Sequence, residues 1–277
     1  MTENMITIKK DNEIELLRQG GKILGQILKQ LIAEVKPGIT TGHLEQMADF
    51  LIKKSGGRSS FKGFKSDKDD KPFPTVLCTN INDEVVHAPS LPSRELKSGD
   101  IINIDVGMEF PYYAPRSGSM GSKSVKRGYY TDMAATVAVG KVSREAQKLI
   151  KVTKQALILG IKQVRPGNSL NNIGKAIEQY VKANNFSVVR DLVGHGVGYE
   201  LHEDPQIPNY DLSYSKKIIL KPGMVLAIEP MVNTGDWQIR DGFDSLTILT
   251  ADGSLSAQFE HTVLVTENGY EILTKYE

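Results

Sequence analysis

A single cysteine, Cys78, is the only thiol in this 277-residue chain, so no intrachain disulfide can form and a reducing compartment is expected. No run approaches the roughly 20 apolar residues of a membrane span. The N-terminus, MTENMITIKKDNEIELL, places charges every few residues where a signal peptide would need an apolar core. These absences make a cytoplasmic protein with no membrane partner the expectation. Charge of one sign is missing too: 34 basic residues against 33 acidic ones leave no global footprint for DNA or anionic lipid, so any polyanion contact has to be local. The zincin HExxH, the P-loop, GxGxxG and a serine nucleophile elbow are also absent, which excludes the commonest zinc, nucleotide and acyl-serine chemistries.

What is present is an ordinary globular composition, 40% hydrophobic and 24% charged, arranged as a repeat. Residues Asp11 to Gly57 read as two helices around a Pro-Gly break. Ile14, Leu17, Ile23, Leu24, Ile27, Leu28, Leu31 and Ile32 recur at helical spacing up to Val35-Lys36-Pro37-Gly38; a Thr40/Thr41 cap then opens a run with Leu44, Met47, Ala48, Leu51 and Ile52. Residues Val142 to Asn185 repeat the pattern around Val164-Arg165-Pro166-Gly167, with a cap at Ser169. An offset of 129 superposes the two segments without a gap. The chain therefore reads as one duplicated domain over residues 1–277, with pseudo-repeats over about 11–140 and 142–277.

The duplication extends to the chemistry. Asp105 sits in the apolar run Ile101-Ile102-Asn103-Ile104-Asp105-Val106, and Asp132 in another from Tyr130 to Val139. Strand interiors disfavour Asp, and a buried carboxylate is costly unless it is paired or binds a cation. Leu96 to Asp105 aligns with Leu220 to Glu229 at an offset of 124, and Thr131 to Ala134 with Phe259 to Thr262 at 128, so Asp105 falls on Glu229 and Asp132 on Glu260. His87 pairs with His202 across one gap. Packed about a local twofold, such a unit would bring four carboxylates and two histidines to one site. His195 joins them between small residues, Gly194 and Gly196, that let its ring approach a buried centre. Four carboxylates and an imidazole suit two divalent ions, about 3.5 to 4 Å apart where carboxylates bridge them. The donor set favours Mn, Fe or Co, with Zn possible, over a thiolate zinc site, and the imidazole argues against pure magnesium. A metal pair acidifies a bridging water and polarises a carbonyl, so hydrolysis is the expected reaction.

Seven stretches carry a family resemblance: Asn82-Asp83-Glu84-Val85-Val86-His87, Ile102-Asn103-Ile104-Asp105-Val106-Gly107, Thr131-Asp132, Gly194-His195-Gly196-Val197-Gly198, Leu201-His202-Glu203-Asp204-Pro205, Ile228-Glu229-Pro230-Met231 and Ser256-Ala257-Gln258-Phe259-Glu260-His261-Thr262. In order, and over nearly the whole chain, they resemble the type I methionine aminopeptidases. The resemblance implies an α+β pita-bread fold, a pseudo-twofold duplicated unit with a curved antiparallel sheet and two helix pairs on its outer face. It implies removal of the N-terminal initiator Met from nascent or new proteins when the second residue is small. Matched position by position, it implies metal ligation by Asp105, Asp132, His195, Glu229 and Glu260, with Asp132 and Glu260 bridging. It gives Glu229 the protons of the attacking water, His87 the scissile amide or leaving amine, and His202 the carbonyl oxygen. The methionine side chain would enter an apolar pocket for which Phe61, Phe64, Phe73, Cys78, Leu201 and Trp237 are the candidates.

One departure stands out. Asp105 and Asp132 are 27 residues apart, where type I relatives join the two strands by a short hairpin turn. The insert over about 111–128 holds Arg116, Lys123, Lys126 and Arg127 and no acid. Its composition predicts a solvated loop; the sharper alternative is a transient ribosome contact, to ribosomal RNA or acidic nascent chains, through that charge and the flanking tyrosines. The rival enzyme is an X-Pro aminopeptidase of the same fold; such relatives usually carry an additional N-terminal domain, and a first helix from about Asp11 favours methionine. A relative that binds peptide without cleaving it has no need of five inward ligands. His43 is expected in solvent and His261 in packing, with hairpin turns at Asp252-Gly253 and Asn268-Gly269.

Overall fold

The computed structural model of the chain describes residues 6–65, 71–113 and 128–276. Two helix pairs form its outer layer. In α1 (Asp11–Glu34) the apolar stripe expected from the sequence is buried, with Leu17, Leu24, Leu28 and Leu31 fully so. Thr40 accepts the His43 N–H at 3.2 Å and opens α2 (Thr41–Lys54). In the second pair Ser143 does the same for Ala146 at 3.0 Å and opens α3 (Arg144–Ile161). The last helix, α4 (Asn171–Ala183), starts with Leu170 already in helical geometry. Ser169 still accepts the Asn171 N–H, at 3.3 Å.

The first half supplies strands β1 (Arg58–Ser59), β2 (Leu77–Ile81), β3 (Glu84–Val86), β4 (Ile101–Phe110) and β5 (Tyr129–Ala138). The second supplies β6 (Ser187–Val188), β7 (Gly194–Gly196), β8 (Glu203–Ile207), β9 (Val225–Ile228) and β10 (Met231–Asn233). It continues with β11 (Ile239–Asp241), β12 (Ile248–Thr250), β13 (Ser256–Gln258), β14 (His261–Thr266) and β15 (Gly269–Ile272). All ladders between them are antiparallel. The fold is the α+β pita-bread fold. β4 is flanked by β5 on one side and by β1 and β2 on the other, and a five-stranded sheet runs β15-β14-β9-β7-β8. The three-stranded sheets β13-β10-β6 and β11-β12-β3 complete it, so the expected curved sheet is realised as four sheets. Helix α1 packs on β4 and β5, and α3 on β5, β9, β10 and β13, so residues from both halves meet in one apolar core that includes Leu28, Ile104, Leu157 and Leu226.

Two turn expectations separate here. Residues 267–268 close the β14–β15 hairpin as expected near Asn268-Gly269. Asp252-Gly253 is a turn but not a hairpin, because β12 and β13 on either side of it pair with different partners. The basic residues Arg116, Lys123, Lys126 and Arg127 of the insert lie outside the described residues.

Candidate metal centre

The first two carboxylates come from one uninterrupted ladder. Asp105 stands opposite Ala134, and Asp132 opposite Gly107, two positions along; residues two apart on a strand share a face, so both carboxylates point the same way. Cys78 lies opposite Asp105 on the other neighbouring strand. Asp132 is fixed at its backbone as well. Its N–H donates to Thr262 at 2.9 Å, and the Thr262 hydroxyl donates back to its carbonyl at 2.8 Å.

The second pair comes from a ladder broken at the site. Ile228 pairs with His261 in one sheet and Met231 with Gln258 in the next, a single register on both sides of a gap. Continued across the gap, that register sets Glu229 opposite Glu260. Pro230 has no N–H to give a ladder, and the facing residues go to the other half of the molecule. The Glu260 N–H donates to Ala134 of β5 at 2.9 Å, and Phe259 bridges Ala135. His195 arrives from β7. A Cβ on Gly194 would lie 2.3 Å from the Ala227 carbonyl oxygen, and one on Gly196 2.2 Å from that of Asp204, so only glycine lets the strand pass this close.

One ligand atom each from Asp132, His195 and Glu260 lies within 4.8 Å of the others. Asp105 and Glu229 line the same cavity, of about 1100 Å³. His195 Nδ1 is 2.9 Å from the Gly196 carbonyl, which only accepts, so Nδ1 carries the proton and Nε2 keeps its lone pair. That lone pair faces Glu229 Oε1 at 3.5 Å. Burial pulls the His195 pKa to about 4, so the ring is neutral at physiological pH. Gln258 donates to the other Glu229 oxygen at 3.1 Å. Asp105 Oδ1 and Glu260 Oε1 are buried without a hydrogen-bond partner. Burial, then the Asp132 charge, raises the carboxyls of Asp105, Glu229 and Glu260 well above the usual range, and burial alone lifts Asp132 to about 7. Lys71 is the only lysine or arginine among the described residues lining the cavity. An acceptor-only set this dense fits a divalent cation, which satisfies orphaned oxygens and lone pairs together.

The remaining expected residues divide cleanly. His87 and His202 line the cavity; His202 meets His195 edge-on at 4.5 Å and Phe64 at 4.9 Å. Both expose an edge to the concave site. Desolvation there, then His195 and His87, pulls the pKa of His202 to about 3, while desolvation alone lowers that of His87. His87 also holds a left-handed φ of 61°, uncommon for a residue with a side chain. Phe61, Cys78 and Leu201 form one apolar cluster with Phe64 and Phe73 packed against it. Burial, then Asp105, raises the Cys78 thiol, so it is a neutral wall and not a nucleophile. Trp237 is the exception: it does not line the cavity and instead has the Arg190 guanidinium 5.4 Å from its ring. Leu246 and Ile248 stand in the wall there, brought round by the β11–β12 hairpin. His43 is exposed, and His261 turns away to Thr274 at 3.1 Å. Gln258 went unassigned in the sequence, although strand alternation places it on the face of Glu260 two residues on.

Fold and donor set together define a carboxylate-rich metallohydrolase. The chain belongs to metallopeptidase family M24, whose sequence model matches residues 15–118 and 119–267. It is 44% identical to the methionine aminopeptidase of Clostridium perfringens, over 98% of this chain and 99% of that one. It is 43% identical to methionine aminopeptidase 1 of Bacillus subtilis, over 98% and 100%. The crystal structure of methionine aminopeptidase from Thermotoga maritima matches with a TM-score of 0.87 at 39% identity, over 98% of this chain and all of that one. A prolidase from Pyrococcus horikoshii, at 19% identity and a TM-score of 0.71, shares the fold. No helix among the described residues is long and apolar enough to cross a membrane.

Proposed function

We propose that this chain is a methionine aminopeptidase that removes the N-terminal Met of polypeptides whose second residue is small. The observation that carries the reading is the convergence of Asp132, His195 and Glu260 beside an apolar pocket, within full-length similarity to proteins of that name. Asp105, Asp132, His195, Glu229 and Glu260 would hold two divalent ions, Mn, Fe or Co before Zn. When bound, such ions supply an acidified water and a polarised carbonyl.

The protein groups do the rest. Gln258 holds one oxygen of Glu229 and so orients the carboxylate that would take the proton of the attacking water and pass it to the leaving amine. His202 is neutral and can donate an N–H to the carbonyl oxygen as charge develops there. His87, neutral as well, is suited to the amide nitrogen. Phe61, Phe64, Phe73, Cys78 and Leu201 offer a thioether an apolar, aromatic-edged wall, a contact sulfur favours. The free amine of the substrate would meet the carboxylates near Asp105, which restricts cleavage to a chain terminus.

Metal-stripped protein, reloaded separately with Mn, Fe, Co and Zn, tests the reading on Met-Ala-Ser and Ala-Pro-Ala. Metal-dependent release of Met is expected. Preference for Ala-Pro-Ala, or no release with any ion, would overturn it.

A further inference from the structure

A buried ion pair lies outside the chemistry described so far. Lys9 Nζ and Glu203 Oε2 are 2.6 Å apart, with side chains 1% and 6% exposed. The pair joins residues 194 apart in sequence. Glu203 Oε2 also accepts from the Thr7 hydroxyl, and Lys9 Nζ contacts Thr7 as well. The other oxygen of Glu203 turns back on its own chain, accepting the N–H groups of Tyr199 at 2.5 Å and Glu200 at 3.1 Å. The segment before α1 is thus tied by side chains to the turn 198–203, and that turn carries Leu201 of the apolar pocket and His202.

Further contacts tie these two segments to each other, to Gly223 and to α1. Lys9 donates its backbone N–H to Gly223 at 2.9 Å. Its ammonium sits 4.8 Å from the centre of the Tyr199 ring, and the Tyr199 hydroxyl donates to Glu13 at 2.6 Å. Gly198, at φ +139°, leaves room for the lysine stem; a Cβ there would lie 2.4 Å from Lys9 Cε. Burying two charges is expensive, and a pair of well-packed apolar residues would often hold the fold as well. What an apolar pair would not supply is a carboxylate oxygen directed at two N–H groups of the turn.

We propose that Lys9 and Glu203 are positioning residues, a clamp through which the N-terminal segment sets the turn bearing Leu201 and His202 against the cavity. The proposal rests on the reading of His202 as the group at the substrate carbonyl.

The test uses the full chain and three variants: Thr7→Val, Lys9→Arg, and the charge-free pair Lys9→Met/Glu203→Gln. Steady-state kinetics on Met-Ala-Ser with saturating metal is read beside amide hydrogen exchange of the metal-free protein. The charge-free pair is expected to lose on the order of a hundredfold in kcat, the cost of a displacement of about 1 Å, with faster exchange confined to Tyr199 and Glu200. Thr7→Val should lose several-fold, and Lys9→Arg should retain most of the wild-type kcat. Wild-type kcat in both Thr7→Val and the charge-free pair overturns the clamp. So does exchange that rises evenly across the chain, which marks a role in stability alone. If the wild-type protein releases no Met while the local exchange signature appears, the functional reading fails and the clamp stands.

Discussion

The two halves of the molecule present the same four carboxylates by different means. In the first half Asp105 and Asp132 lie within ten-residue strands whose pairing runs unbroken from Ile101 opposite Ala138 to Phe110 opposite Tyr129. In the second, Glu229 and Glu260 stand in the gap between two short ladders that keep one register. The gap is where the halves join, because Phe259 and Glu260 spend their backbone pairing on Ala134 and Ala135 of β5. A continuous strand presents a short acid rigidly, whereas an interrupted one, crossing from one sheet to another, presents a longer acid. Each half supplies two acids, and the break at the seam turns those of the second half into the cavity that those of the first half line.

If all four carboxylates serve one centre despite that difference, Asp132→Asn and Glu260→Gln should be equally damaging. Each is expected to lose more than the about 10- to 100-fold typical of an outer-shell partner, together with bound metal measured by titration calorimetry. Full activity in either would break the equivalence. The comparison sharpens with the other two acids. Glu229→Gln, which keeps the Gln258 contact but cannot carry a proton, should lower kcat about 10²- to 10⁴-fold at nearly unchanged KM, while Asp105→Asn should act through metal affinity. A smaller effect follows from removing the metal. In the metal-free folded chain burial holds Asp132 at about 7 against an ordinary 3.8. The folded state then binds more protons than the unfolded one, so stability is full below 3.8 and falls as pH rises through about 7. Scanning calorimetry across that window should show a falling Tm that saturating divalent ion removes. Smallest of all, Thr40→Ala and Ser143→Ala remove a hydroxyl cap from one helix of each pair, and each should cost about 1 kcal/mol in urea unfolding. Unequal losses would show that one helix pair is held chiefly by packing.

Much of this was legible before any coordinates. Helical spacing, Pro-Gly breaks and hydroxyl caps are local signals, and α1 to α4 follow them to within a residue or two. Asp105 and Asp132 were conspicuous because strands reject buried acids, and all five expected ligands line one cavity. Trp237 does not line the cavity, because its place depends on how β11 and β12 fold back, which aromatic content does not encode; Leu246 and Ile248 line it. Asp252-Gly253 failed as a hairpin because a turn signal specifies a reversal, not which strands pair after it.

The sequence alone determined the two helix pairs and membership of a metallopeptidase family, and it singled out four acids and a histidine that line one cavity, because each is written in spacing or in residue type. Only the tertiary structure decided that the second ladder breaks at Glu229-Pro230, that Gln258 holds Glu229, and that Lys9 and Glu203 meet across the molecule. These depend on which distant backbone groups and side chains find one another, and the free energy of such a contact resides in the pair and not in either segment alone.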